Sequence, residues 1–422
     1  MYTHQDLARL QSQSLKMQGW IRRQTFSPAN EKTLRRFSSW EVAELIFRMN
    51  QSTFRGKLAA DPNVEYVEVD QIMYPTWTPN DPSYSQQWGF NGTYGIKAQQ
   101  AWDITKGAGQ LVAVLDTGIT THSDLSANVI GGYDFISDTT VAGDGNGRDS
   151  NPADPGDYYG GSASSWHGTH VAGTVAAVTD TQGVVGVAPN AKIQPVRVLG
   201  KCGGSLADIA DAIVWASGGS VTGVPANANP ADVINMSLGG SGTCGTTYQN
   251  AINAAVSRGV PVVVAAGNEN QPAANVRPAN CRNTIVVAAS TSQGARASFS
   301  NYGSVVDVTA PGANIISTVN NGATTPTTAG HAAYNGTSMA TPHVAGLAAL
   351  LLAEQPSLTP AQVESTLTST ARSMPVSCSA GCGAGLADAS AAVSSLGGAQ
   401  TEPEPGPVAS LIVNGGFESG ST

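Results

Sequence analysis

Five runs of β-branched and small apolar residues limit what this chain can fold into more than any other feature. They are QLVAVLD (110–116), KIQPVRVL (192–199), DVINMSL (232–238), PVVVAAGN (261–268) and TIVVAAS (284–290). They run almost continuously apolar where a strand with one wet face would alternate, so each is predicted to be a strand covered on both sides. Ala-rich stretches of helical length separate them. That pattern leads to an α/β fold: a three-layer sandwich with a mostly parallel central sheet between helices. In such sheets the working residues gather at the carboxyl ends of the strands. Asp116, Ser237 and Asn268 are the polar residues that close three of the runs.

Only 12% of the 422 residues are charged and 48 are glycine, which suits a tightly packed, turn-rich fold better than a helical bundle or a disordered chain. The net charge of −9 is unevenly spread: residues 1–57 hold ten Lys/Arg against four Asp/Glu, the rest eleven against twenty-six. The acidic bulk argues against a nucleic-acid partner, and the short basic leader reads as a solvated pro-segment. No apolar run reaches the length of a transmembrane helix. Residues 1–30 lack an apolar h-region, so an exported form is expected to begin elsewhere. The five cysteines fit neither a zinc ribbon nor a redox Cys-x-x-C pair. Their place in Gly/Ser-rich stretches suits loop disulfides of a secreted protein. Cys378 and Cys382 are expected to close a tight loop and Cys202 to pair with Cys244; an odd number leaves one free or without its partner.

NGTSMATPHVAG (335–346) continues as LAALLLAE. It is apolar almost all round, so residues 339–353 are predicted to thread the core as a helix, with Pro342 in the first turn. Ser338 then stands at the helix start, where free N–H groups and the positive dipole end favour developing negative charge. An ordinary N-cap also fits there; a nucleophile needs a base. SSWHGTHVAGTVAAV (164–178) opens a second buried helix with His167 and His170. His167 is the better placed to face a cleft, and His170 suits a supporting core histidine. A metal pair is the alternative, but the segment offers no third ligand. Asp116 ends its strand in VLDTGI. Asp-Thr-Gly also marks aspartic proteases, which need two such loops, and this chain has one. Hydroxyl, imidazole and buried carboxylate form the set that nucleophilic catalysis requires. The Asn268 amide and the Ser338 N–H are candidate donors to an oxyanion.

Taken together, VAVLDTGI, HGTHVAGT, AAGNE and NGTSMATPHVAG resemble the motifs of the subtilisin-like serine proteases, the subtilases, over about residues 84–396. The resemblance implies a secreted serine endopeptidase with Asp116, His167 and Ser338 as triad and Asn268 as oxyanion donor. It implies protein or peptide substrates bound as an added strand between Gly203-Gly204-Ser205 and Ser237-Leu238-Gly239, with a pocket behind Ser237–Gly240 and Ala265-Ala266-Gly267. NVRPANC (275–281) departs from the family pattern by placing Val276 and Arg277 where a glycine and an aromatic are common. NVEYVEVDQIMY (63–74) resembles the last strand of an inhibitory propeptide, part of an α+β unit, from about residue 58. A domain plan follows: pro-segment 1–76, cut between about Met73 and Asn80; catalytic domain 77–397; Pro/Glu-rich linker 398–410. SLIVNGGFESG then resembles the opening strand of a galactose-binding-like β module, 411–422. A monomer with its own propeptide as inhibitor is the expected state.

Calcium is the expected ion. GDGNGRDSNPADPGDYY (143–159) gathers Asp144, Asp149, Asp154 and Asp157 in one loop of hard oxygen donors, though it lacks the EF-hand glycine and glutamate. Asp124, with Gln87, resembles a second family position more weakly. The rival reading is a latent or surface- and glycan-binding protein that carries the same fold.

Overall fold

A computed structural model describes residues 77–396 and, before them, the backbone of three short strands. By its internal contacts the chain divides into two units, Met1–Pro75 and Thr76–Thr422. In the first, β1 (Trp20–Arg23), β2 (Thr33–Arg36) and β3 (Val64–Val67) form an antiparallel sheet in the order β2-β1-β3. β3 falls inside the alternating NVEYVEVDQIMY segment. The Pro/Glu-rich linker and the C-terminal module lie outside the described residues.

The second unit is built on β4 (Leu111–Asp116), β5 (Tyr133–Asp134), β6 (Lys192–Arg197) and β7 (Val233–Met236), continued by β9 (Val262–Ala265), β11 (Ile285–Ser290) and β12 (Val308–Pro311). These seven form one sheet in the order β12-β11-β9-β7-β4-β6-β5, and every pairing in it is parallel. Both faces are covered. Leu111, Ala113 and Leu115 of β4 join a core with helices Leu206–Ala216 and Thr246–Ser257, while Val112 and Val114 join one with His167–Ala176 and Thr337–Glu354. The five apolar runs thus became buried strands. β5, β12 and the antiparallel hairpin of β13 (Ile315–Asn320) and β14 (Ala329–Tyr334) were not foreseen; they are short, or rich in Ala, Thr and Ser. A small ladder pairs β8 (Gly240–Ser241) with β10 (Val276–Arg277).

The expected Cys202–Cys244 bridge is not formed. Cys244 bonds to Cys281, with Cα atoms 5.1 Å apart, and Cys202 is free and exposed. The tertiary fold brings Cys281, 37 residues on, to the loop that follows β8, a proximity that spacing along the chain cannot reveal. Cys378–Cys382 forms as expected.

Helix Thr337–Glu354 is buried from Met339 through Leu352 and packs on β4, β7, β9, β11 and β12. Leu350, fully buried there, is expected to cost about 2–5 kcal/mol when replaced by alanine. Urea unfolding of Leu350→Ala checks this; a midpoint unchanged from the parent chain would contradict a central position.

Candidate active site

The carboxyl ends of β4, β7 and β9 open on one side of the sheet, and the order of strands reverses beside β4, where the chain goes first to β5 and β6 and then back to β7. Asp116 ends β4, fully buried. Its Oδ1 accepts from the Thr117 N–H at 2.8 Å and meets His167 Nδ1 at 2.7 Å. Two glycines permit that approach. A Cβ on Gly168 would stand 2.3 Å from Gly118 O, and Gly118 itself has φ +101°. Trp166, just before the helix, sits in the left-handed region at φ +51°, a conformation costing a bulky residue about 1–2 kcal/mol. Its buried indole N–H, donating to Gly322 O at 2.8 Å, holds it there.

Burial pulls the His167 pKa down, but the charge and hydrogen bond of Asp116, with smaller help from Asp157 and Asp154, outweigh it and leave the pKa raised. His170 faces elsewhere. Its Nε2 lies between Ile315 O and Ala332 O at 2.9 and 3.1 Å, its ring stacks on Tyr334, and burial takes its pKa down to about 3. It is a neutral core histidine, and the two histidines do not form a metal pair.

Ser338 is the second residue of its helix, which starts at Thr337, two residues earlier than the sequence suggested. Pro342 therefore lies beyond the first turn, where a proline deprives the carbonyl four residues back of its helical donor. That carbonyl is Ser338 O, and Ser237 Oγ donates to it instead at 2.8 Å. In return Ser338 Oγ donates to Ser237 O at 3.1 Å. No hydrogen bond joins Ser338 Oγ to His167 among the described residues, although both line one cleft of about 680 Å³. Asn268 lines it too. Its side-chain oxygen accepts from Thr337 N and Oγ1 at 2.8 and 3.0 Å, which leaves the amide NH₂ free to point away from them. Sequence reasoning missed both Thr337 and Asn301. Asn301 is fully buried and bonds Ala266, Glu269 and Gln271, so it fixes the loop that carries Asn268. No motif marks a residue whose partners come from another loop.

Gly203, Gly204, Ser237, Leu238, Gly239 and Gly240 line the cleft. Ser205 and Gly267 do not. Ser205 caps helix Leu206–Ala216 by accepting from Asp208 N, and Gly267 N donates to Thr337 Oγ1.

The loop expected to hold calcium does not gather its carboxylates. Asp144 pairs with Arg197 at 3.0 Å, and Arg197 also meets Asp134 at 2.5 Å. Asp149 accepts from Asn146 and Asn151. Asp154 accepts from Thr117 Oγ1 at 2.8 Å, and Thr117 Oγ1 in turn accepts from Gly168 N. Asp157 accepts from Ser165 N and Oγ, one step from His167. Two of the four thus brace the His167 turn, because the loop folds back onto β4. Burial takes the Asp154 pKa up to about 6.

Asp124 has a different setting. It is buried with Asp81 beside half-buried Asp180, their ligand atoms all within 4.8 Å, and its Oδ1 has no hydrogen-bond partner among the described residues. Burial first, and then the Asp124 charge, raise the Asp81 pKa against hydrogen bonds from Asp180 and Thr179. Crowded carboxylates with an orphaned oxygen fit a hard cation. The Gln87 amide bonds Val185 N and O. His122, near Asp124, has both ring nitrogens on backbone groups and leaves no lone pair for a metal.

Among the described residues no helix is long and apolar enough to cross a membrane. The model of the subtilase family matches residues 107–391. An extracellular protease of Xanthomonas campestris pv. campestris is 60% identical over 359 residues, 82% of this chain and 62% of that protein. An extracellular basic protease of Dichelobacter nodosus is 47% identical over 85% of this chain and 63% of its own length. The chain thus spans a little under two thirds of each. A solved protease structure from Pseudoalteromonas arctica matches with a TM-score of 0.74 and 55% identity, over 76% of this chain and 100% of that one. With the order Asp116, His167, Asn268, Ser338 arranged around one cleft at the carboxyl ends of a parallel sheet, and with these matches over most of its length, the chain belongs to the subtilase family.

Proposed function

We propose that the protein is a serine endopeptidase that hydrolyses peptide bonds in proteins through an acyl-enzyme on Ser338. The observation that carries the reading is the 2.7 Å bond from buried Asp116 to His167 Nδ1, in a cleft that also holds Ser338 and Asn268. The substrate lies as a strand against Gly203-Gly204 and Ser237–Gly239. As it enters, a turn about χ1 frees Ser338 Oγ from Ser237 O and brings it to His167. Oγ attacks the carbonyl carbon while His167 Nε2 takes its proton, and Asp116 stabilises the imidazolium without taking the proton itself. The carbonyl oxygen becomes an oxyanion that accepts from Asn268 Nδ2 and from Ser338 N at the helix start. The intermediate collapses, the C–N bond breaks, and His167 returns the proton to the leaving amine. Water then repeats the sequence and releases the acid.

Relatives named as extracellular proteases and two disulfides support secretion. Residues 1–76 act as an inhibitory pro-segment removed by the chain itself, with 77–397 as the catalytic domain. Asp124, with Asp81 and Asp180, holds a calcium ion whose charge offsets their mutual repulsion.

Incubation with a serine-reactive fluorophosphonate probe, read by intact mass, tests the assignment: the label is expected on Ser338. Ser338→Ala is expected to abolish labelling and self-cleavage and to lower casein hydrolysis by about 10⁶, a magnitude carried over from subtilisin; retained hydrolysis sinks the triad. On acidification His167 becomes an imidazolium and can no longer accept the serine proton. Activity should therefore fall with pH through a midpoint above the ordinary histidine value, because His167 is raised. The kcat/KM profile of Asp157→Asn, with one supporting charge removed, should have its acid limb at lower pH. A calcium chelator is expected to lower the melting temperature, and Asp124→Asn to remove that dependence; calcorimetric melts with equal chelator response in both chains would point to another site.

A further inference from the structure

One guanidinium in the cleft has no part in the chemistry above. Arg277, half-buried, lines the same cleft as Ser338 and His167. The β8–β10 ladder sets it there, because Arg277 pairs with Gly240 at the far end of the Ser237–Gly240 wall. Its Cζ lies 3.6 Å from where a Cβ on Gly242 would stand. Three other arginines withdrawn from water have carboxylate partners, Arg148 with Asp208 and Asp211, Arg197 with Asp134 and Asp144, and Arg372 with Asp388, while half-buried Arg296 donates to Ser300 O and lies over the Tyr302 ring. Among the described residues none of the ion pairs includes Arg277. Asp157, which also lines the cleft, is occupied by Ser165. A guanidinium partly withdrawn from water and left without a counter-ion gains most from an incoming carboxylate, which it can grip through two parallel hydrogen bonds.

We propose that Arg277 forms a subsite for an Asp or Glu side chain of the substrate, on the acyl side of the bond that is cut. The inference rests on the endopeptidase reading and adds a substrate class to it. Position follows from the wall. Ser237 touches Ser338, and a paired strand advances about 3.3 Å per residue. Gly240 and the Arg277 beside it thus face substrate residues about three to five places upstream of the scissile carbonyl. The chain carries an acidic residue at such a spacing: Asp70 stands three residues before Met73, where the expected processing region begins.

The test compares kcat/KM for peptides that carry Glu, Gln or Lys at the third, fourth or fifth residue before the cut. The native chain is expected to prefer Glu over Gln by about five- to tenfold at one of these places in low salt, the size of a partly exposed charge pair. Raising the salt to about 0.5 M should shrink the ratio. Arg277→Ala should bring the ratio close to one, Arg277→Lys should keep part of it, and Arg277→Glu should favour the Lys peptide. Cleavage of the Gln peptides with no preference for Glu, or a preference that survives in Arg277→Ala, overturns the subsite while the endopeptidase reading stands. A chain that cleaves none of the peptides overturns that reading and the subsite with it.

Discussion

From Met339 to Leu352 the helix Thr337–Glu354 has no face that water can wet, and the molecule is organised around covering it. Its small residues let its neighbours approach closely; a Cβ on Gly346 would stand 2.6 Å from Val187 Cβ, in the segment that follows helix His167–Ala176. Burial of that helix pins its N-terminus at the carboxyl ends of β7 and β9, with Ser338 lining the cleft and Thr337 N–H held by the Asn268 side chain. Pro342 then removes the one intrahelical donor that Ser338 O would have had. Ser237 Oγ fills the vacancy and so locks the cleft wall to the turn that carries Ser338. A core constraint and a site constraint meet in one proline.

Charge is handled by internal partners. Arg197, 1% exposed, lies between Asp134 and Asp144, and its second nitrogen donates to Ala142 O. Removing one partner from such a group leaves a buried charge uncompensated, typically at about 3–5 kcal/mol. The Asp-rich loop is tied down by that guanidinium and by Arg148, so it can lend Asp154 and Asp157 to the Thr117 and Ser165 turns on either side of His167. Those carboxylates add to the negative field at the imidazole that Asp116 dominates.

The sheet, its parallel sense and its polar strand ends were legible because burial on both faces leaves a direct imprint: each run is apolar at most positions, with little alternation. His167, Ser338 and Asn268 were legible for a related reason, since each polar residue interrupts a stretch otherwise made for the core. The β13–β14 hairpin left no such imprint. Every second residue of β14 is exposed and none is fully buried, so it lacks the continuous apolar run that marks the sheet.

By itself the sequence determined which segments must be buried, which polar residues stand at their ends, and that aspartate, histidine and serine recur in the order of a nucleophilic set. The first two depend on composition and local periodicity, which are properties of the linear chain, and the third rests on the resemblance of its motifs to a known family. Only the tertiary structure decided that Cys244 joins Cys281, that Arg197 pairs with Asp134 and Asp144, and that Asp81 and Asp180 join Asp124. Thr337 and Asn301 as the supports of Asn268 belong with these. Each is a contact between residues far apart in the chain, and a hydrogen bond or ion pair depends on distance and direction in space, which no spacing along a sequence encodes.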